Sequence, residues 1–322
     1  MHKILPLFIA GFRCLFNLFL AELSFYVCFF VLELTFFEKW GTSIARMTIL
    51  QSLILGLVEG LTEYLPVSST GHLIIAQHLL GMKESSALNA YSVCIQIGAI
   101  LAVVNLYFFR ICEMWKGLCG KNPAGRKLIC NILLGFLPAM IIGFFLAGPI
   151  KDYLFNAETV LVSWAIGGIV ILLFVRYSMK NGKGRHQEGT ALEDMSWKAA
   201  LTVGFMQCIA MCPGTSRSLM TMLGGLMVGL SMAAAVEFSF LLGLVTLGAA
   251  TAYDFLKHGS NMVTELGWGP MIAGTVMSWL SAIVAVKWMV GYLQKHGLSF
   301  FGWYRIGAAL VMLVLILNGL TV

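Results

Sequence analysis

Apolar residues are concentrated in long runs along the chain, and short polar segments separate one run from the next. Six runs approach or reach the roughly 20 residues with which an α-helix crosses a bilayer. They occupy about residues 90–109, 128–147, 159–174, 236–256, 268–290 and 302–320. Two other runs stop at Pro66 and at Pro213, and a short apolar segment follows each proline. Because proline ends or kinks a helix, the pattern predicts six spanning helices and two broken ones.

The order of these segments repeats within the chain. Residues 47–176 and residues 197–322 each hold a broken helix and three full spans, and a polar linker at 177–196 joins them. An odd number of spans in each half inverts the second half relative to the first, and such repeats place a site where the halves meet. The predicted fold class is an all-α polytopic membrane protein, an inverted-topology repeat with six full transmembrane helices and two re-entrant helix hairpins.

The distribution of positive charge predicts which polar segments face the cytoplasm. The polar segments around 110–127 and 176–198 each carry five Lys or Arg residues, and they lie two spans apart on the same side. The positive-inside rule makes that side cytoplasmic. The first broken hairpin then enters from outside and the second from inside, so that their tips can meet within the membrane.

The overall composition agrees with a membrane protein. Hydrophobic residues make up 59% of the 322 positions and charged residues only 11%, with a mean hydropathy of +0.87. Soluble domains are about a quarter charged, so a soluble class is excluded. The net charge of +6 belongs to the cytoplasmic segments, and no nucleic-acid partner is expected. The eight cysteines form no CxxC pair and indicate neither a disulfide framework nor a zinc site.

The first 46 residues form a hydrophobic extension that lies outside the repeat. Two apolar stretches rich in Phe and Leu are interrupted by Arg13, Glu22 and Glu33. The extension fits one long or two short membrane segments, and it also fits a misread start, with Met47 as the true first residue. A removed signal peptide is the less favoured interpretation, because the segment has no small-residue cleavage site of the usual kind.

Residues 59–72, with the sequence EGLTEYLPVSSTGH, place two carboxylates within an apolar frame. Glu59 and Glu63 are four residues apart and therefore adjacent on one helix face, where their charges repel. Either charge is costly inside a bilayer. One interpretation is a solvated helix end at the membrane surface. The functional interpretation is a metal site, since a hard divalent cation (Mg²⁺ or Ca²⁺) takes oxygen ligands. A variant has one glutamate as a proton acceptor.

The residues after Pro66 predict a restarted helix. Ser68, Ser69 and Thr70 precede that helix, whose N–H groups favour an anion, although the same hydroxyls fit an ordinary N-cap. His72 follows within the same stretch. A lone histidine is usually structural, but its neighbours here favour a general acid or base.

The second tip, residues 213–221, supplies a cation. Arg217 is flanked by apolar segments, and arginine suits bidentate binding of phosphate oxygens. Gly214 permits close backbone approach, while Ser216, Ser218 and Thr221 can donate hydrogen bonds. The competing interpretation is that Arg217 extends to the membrane surface. Carboxylates, hydroxyls, an imidazole and a guanidinium that meet in a membrane suggest a phosphorylated lipid headgroup as ligand.

The two tips, 59–72 and 213–221, resemble the two signatures of the undecaprenyl-diphosphate phosphatases, also called bacitracin-resistance proteins. Further similar stretches are residues 95–103, 237–242 and 301–306. The resemblance covers residue 47 to the C-terminus and leaves out 1–46. It implies a bacterial plasma (inner) membrane enzyme of peptidoglycan synthesis with a site open to the outer face, an isoprenoid diphosphate lipid substrate and a divalent cation.

The residues of the two tips, together with this substrate, suggest a mechanistic hypothesis. Arg217 holds the diphosphate with Ser216 and Thr221, Glu59 and Glu63 hold the cation, and Ser69 attacks phosphorus with His72 as base or acid. Alternatives are His72 as nucleophile or a metal-activated water. A lipid-carrier flippase is the alternative function, because inverted repeats with broken helices are also a transporter architecture. A homodimer is left open.

Overall fold

The computed structural model describes residues 47–82, 85–180 and 189–319, and the predicted extension 1–46 lies outside them. The regular structure in this part of the chain is helical, apart from one isolated bridge between Thr190 and Leu230. In chain order the helices are α1 (Ile49–Thr62), α2 (Ser69–Leu79), α3 (Ser86–Cys94), α4 (Gln96–Leu106), α5 (Phe108–Leu118), α6 (Pro123–Leu154), α7 (Ala157–Lys180), α8 (Trp197–Ile209), α9 (Arg217–Met227), α10 (Met232–Leu266), α11 (Trp268–His296) and α12 (Ser299–Leu317). A 3₁₀ turn at Leu192–Asp194 precedes α8.

Six segments of the described chain are long and apolar enough to span a membrane, which confirms the predicted all-α, six-span, multi-pass class. They are Ala87–Leu106, Pro123–Leu146, Ala157–Lys180, Met232–Lys257, Trp268–His296 and Ser299–Leu317. The first of them is divided at Ile95 into α3 and α4, a break that the apolar pattern did not predict. The re-entrant placement of the two broken segments, and the repeat boundaries, stay predictions.

Two polar segments that were expected to be loops are partly ordered into helix. Residues 110–127 include most of α5 and the start of α6. In the linker 177–196, α7 continues to Lys180, and Leu192 in the 3₁₀ turn is buried in the core. Leu192 is an apolar side chain in a polar segment, and its burial explains why that turn packs on the helices.

Proline and capping residues set the limits of the two broken helices. Thr48 caps α1 through a capping box with Gln51, and Ser196 caps α8. Each helix ends four residues before a proline, α1 before Pro66 and α8 before Pro213. Proline has no N–H to bond the carbonyl four residues earlier, so both helices stop at the same distance from it.

Glycine pairs fix how the broken helices pack. Gly56 of α1 lies against Gly274 of α11, and Gly204 of α8 lies against Gly135 of α6. A methyl group at Gly56 or Gly204 would meet the facing glycine's backbone, so the small residues permit the close approach. Each broken helix therefore packs on the second full span of the opposite half, and the two halves interlock.

Candidate active site

The two tips lie in direct contact. The Ser218 hydroxyl of the second tip donates to the Leu65 carbonyl of the first at 2.8 Å. Helices α2 and α9 begin at these tips after Ser68 (φ 71°) and Ser216 (φ 77°), the two non-glycine residues with positive φ among those described. Non-glycine residues rarely adopt this conformation, and such strain is concentrated at functional sites. The tips thus bring two helix N-termini to one place.

Glu63 connects the chemical groups of the two tips. Its Oε1 accepts a hydrogen bond from Arg217 Nη2 at 3.0 Å, and its Oε2 accepts one from the Ser69 hydroxyl at 2.6 Å. The Arg217 guanidinium also donates to the Ser239 carbonyl at 3.0 Å and lies over the Tyr64 ring at 5.2 Å. A nucleophile candidate, a carboxylate and a guanidinium are therefore joined in one hydrogen-bonded chain.

Glu59 is a fully buried carboxylate that lies beside Glu63. Neither of its oxygens accepts a hydrogen bond from an N–H or hydroxyl group of the described residues. An unpaired buried carboxylate is costly unless it is neutralised. The pair fits a hard cation, because Mg²⁺ is usually held by one or two carboxylates together with substrate phosphates. The described residues contain no cluster of three or more His, Cys, Asp or Glu ligands, so the chain alone would supply an incomplete shell.

His72 makes its hydrogen bonds with groups other than the Ser69 hydroxyl. Its Nδ1 is 2.7 Å from the Ser68 carbonyl and its Nε2 is 2.7 Å from the Tyr304 hydroxyl, while the ring packs against Trp164. A carbonyl only accepts hydrogen bonds, so Nδ1 carries a proton. Both ring nitrogens thus have partners other than Ser69. No direct hydrogen bond joins His72 to Ser69, so the hypothesis that His72 is the base lacks this support. Glu63, in contrast, accepts a hydrogen bond from the Ser69 hydroxyl.

The predicted phosphate donors differ in what they contact. Thr221 donates to the Arg217 carbonyl at 2.9 Å and shares a hydrogen bond with the Ser239 hydroxyl at 2.6 Å. Ser216 caps α9 by accepting from the Leu219 N–H at 3.3 Å. These two hydroxyls support the second tip itself, whereas the Ser218 hydroxyl joins it to the first tip. Ser68 and Thr70 have hydroxyls with no hydrogen-bond partner among the described residues, and they remain the donors free to meet a ligand.

Arg305 is a site residue that the sequence interpretation missed. It is fully buried and donates to three carbonyls, those of Pro66 at 3.4 Å, Gly214 at 2.8 Å and Ser163 at 2.8 Å. No acidic side chain in the described part of the chain pairs with it. The signal was an arginine within an apolar run, which in a membrane segment is a functional indicator. Arg305 ties both tips to α7 and adds a positive charge behind them.

The electrostatics of the site suit an anion. Arg217 is bonded to Glu63, Arg305 is bonded to the backbone of both tips, and the N-termini of α2 and α9 begin at these tips. A helix N-terminus carries a partial positive charge and free N–H groups. The arrangement can hold phosphate oxygens beside a serine hydroxyl whose proton already faces a carboxylate.

Comparison with known proteins gives consistent matches. Residues 52–311 match the family described as bacitracin resistance protein BacA. An "Undecaprenyl-diphosphatase" of Nitrosomonas europaea is 42% identical over 274 residues, which cover 85% of this chain and 97% of that protein. An "Undecaprenyl-diphosphatase 2" of Rhodospirillum rubrum is 42% identical over 272 residues, covering 84% and 96%. An "Undecaprenyl-diphosphatase" of Methylococcus capsulatus is 43% identical over 264 residues, covering 82% and 93%.

Proposed function

Since the chain belongs to the bacitracin resistance protein BacA family, we infer that it hydrolyses undecaprenyl diphosphate to undecaprenyl phosphate and inorganic phosphate. This reaction recycles the lipid carrier of peptidoglycan synthesis and confers bacitracin resistance. The observation in the structure that carries the proposal is the chain of hydrogen bonds from Ser69 through Glu63 to Arg217, formed where the two tips meet. The positive segments described above support a bacterial plasma (inner) membrane protein whose site opens to the outer face.

The mechanism that we propose uses these contacts. Arg217 binds oxygens of the diphosphate and thereby leaves its ion pair with Glu63. The freed carboxylate takes the proton of Ser69 as the serine oxygen bonds to the terminal phosphorus. The bond from that phosphorus to the bridging oxygen breaks, and undecaprenyl phosphate leaves. Water then hydrolyses the phosphoserine and releases inorganic phosphate.

Glu59 and Glu63 are the residues that would hold a divalent cation, Glu63 through the oxygen that does not face Ser69. When bound, such a cation neutralises negative charge on the phosphate oxygens. What supports this assignment is the buried, unpaired carboxylate of Glu59 next to that of Glu63. Mg²⁺ and Ca²⁺ both remain candidates, because both take oxygen ligands.

Phosphate release tests the function directly. The purified full chain in detergent is expected to release inorganic phosphate from farnesyl diphosphate and to lose this activity in EDTA. Added Mg²⁺ or Ca²⁺ should restore the activity, and Glu59→Gln should weaken that restoration because it removes a charged ligand. A protein that binds the lipid diphosphate without releasing phosphate would contradict hydrolysis and favour the flippase alternative.

The identity of the nucleophile has its own test. With substrate labelled at the terminal phosphate and rapid quenching, we expect the label on Ser69, whose hydroxyl is bonded to a carboxylate. Ser69→Ala should abolish labelling, whereas the neighbouring change Ser68→Ala removes a ligand donor but leaves the Ser69 hydroxyl, so that labelling should persist at a lower rate. A trapped phosphohistidine at His72 would overturn this assignment, and turnover with no trapped intermediate in either variant would favour attack by water.

A further inference from the structure

Helix α5 (Phe108–Leu118) lies just outside the first spanning segment, which ends at Leu106. One face of α5 exposes large apolar side chains, among them Phe109 with 84% and Trp115 with 64% of its surface accessible. Phe108 and Leu118 are also exposed. A short amphipathic helix with exposed aromatic residues next to a span is typical of a helix that lies in the membrane interface.

The opposite face of α5 is fixed to the start of α6. Gly117 lies against the backbone of Gly125 and Arg126, and Gly125 in turn lies against that of Glu113. The Glu113 carboxylate accepts hydrogen bonds from Asn122 and Lys116, each at 2.6 Å. These contacts hold α5 in one orientation, so its aromatic face is a permanent feature of the surface.

Positively charged residues lie at the end of α5, in its connection to α6 and in the first turns of α6. Lys116, Lys121, Arg126 and Lys127 are exposed within 12 residues. Lys116 is paired with Glu113, and Lys116 and Asn122 hold the pKa of the Glu113 carboxyl below its ordinary value, so this pair is neutral as a unit. Lys127 donates to the Glu193 carbonyl. Lys121 and Arg126 have no acidic partner in the described chain, and they remain available to an external anion.

We propose that the α5–α6 corner binds the headgroup of an anionic phospholipid of the surrounding leaflet. The aromatic face inserts among the acyl chains while Lys121 and Arg126 contact the lipid phosphate. Exposed aromatic residues and cations next to the end of a span are the two parts of such a site, and each cation near the surface adds attraction for anionic lipid. The site is separate from the tips and does not depend on hydrolysis.

Native mass spectrometry of the detergent-purified full chain, titrated with phosphatidylglycerol or phosphatidylcholine, tests this site. The unmodified chain should prefer phosphatidylglycerol. The double variant Lys121→Ala, Arg126→Ala should bind it about 30-fold more weakly. The matched control is Arg176→Ala, Lys180→Ala, which removes two exposed cations from the same predicted side and should change the affinity little.

Equal weakening in both double variants would overturn the proposal, because it would indicate an effect of general surface charge. The absence of any preference for the anionic lipid, or displacement of the lipid by millimolar inorganic phosphate, would also overturn it. The exchange Lys121→Arg, Arg126→Lys keeps both charges and should keep the affinity. Phosphate release from farnesyl diphosphate in detergent should be unchanged in the α5–α6 variants, which separates this proposal from that of the function.

Discussion

Arg217→Ala is expected to lower the turnover number by about 10²–10³, the usual effect of removing one group that stabilises developing charge in a transition state. Arg217 lies at the contact of the two tips and bonds Glu63 Oε1 at 3.0 Å, in a position to exchange that carboxylate for a phosphate. Steady-state phosphate release by the purified variant gives the measurement.

Two controls separate loss of the arginine clamp from loss of structure. Arg217→Lys keeps the charge but not the fork of donors, so it should recover only part of the rate. Arg126→Ala removes an exposed arginine at the start of α6, outside the two tips, and should leave the rate unchanged. Near-normal turnover of Arg217→Ala would show that another group binds the diphosphate.

Arg305→Met should both destabilise the protein and reduce turnover. The change removes one donor from three carbonyls, two in buried contacts and one in a partly buried contact, each at a cost of about 1–3 kcal/mol, and we expect about 3–5 kcal/mol in total. Methionine keeps most of the volume, so the effect reports the lost hydrogen bonds. Thermal unfolding followed by tryptophan fluorescence should show a midpoint lower by roughly 10 °C.

The role of Arg305 as a positioning residue predicts a specific kinetic pattern. Below the unfolding temperature, Arg305→Met should lower kcat more than it raises KM, because the tips lose their alignment while Arg217 can still bind phosphate. Arg305→Lys should recover stability only in part, since one ammonium cannot reach the carbonyls of Pro66, Gly214 and Ser163 together. A variant that unfolds and turns over like the unmodified chain would contradict this role.

The parts of the fold that depend on local pattern could be predicted from the sequence. Apolar length predicts the six spans, and Pro66 and Pro213 predict the two breaks, because each effect acts within a few neighbouring residues. The break at Ile95 has no such local signal. Helix α5 begins directly after a span, and no proline or glycine marks its start. Its position depends on packing against Gly125, which a local pattern does not show.

The residues of the site could be predicted from the sequence, but the contacts between them could not. The sequence interpretation named Glu63, Ser69 and Arg217, and these residues do meet. It paired Ser69 with His72 because the two are close in sequence, yet spacing along a helix does not show which group a side chain faces. Arg305 was missed because its partners at the tips lie up to 239 positions away.

The glycine contacts described above also impose an order on assembly during synthesis. Gly204 packs on Gly135, which has already been made when α8 emerges, so the second broken helix can dock at once. Gly56 packs on Gly274, which lies 218 residues later, and at about 5–20 residues per second α1 waits for roughly 10–45 s. The carboxylates of Glu59 and Glu63 are therefore among the last groups to be enclosed. A ribosome stalled before α11 would leave these two glutamates at the membrane without the helix on which α1 packs.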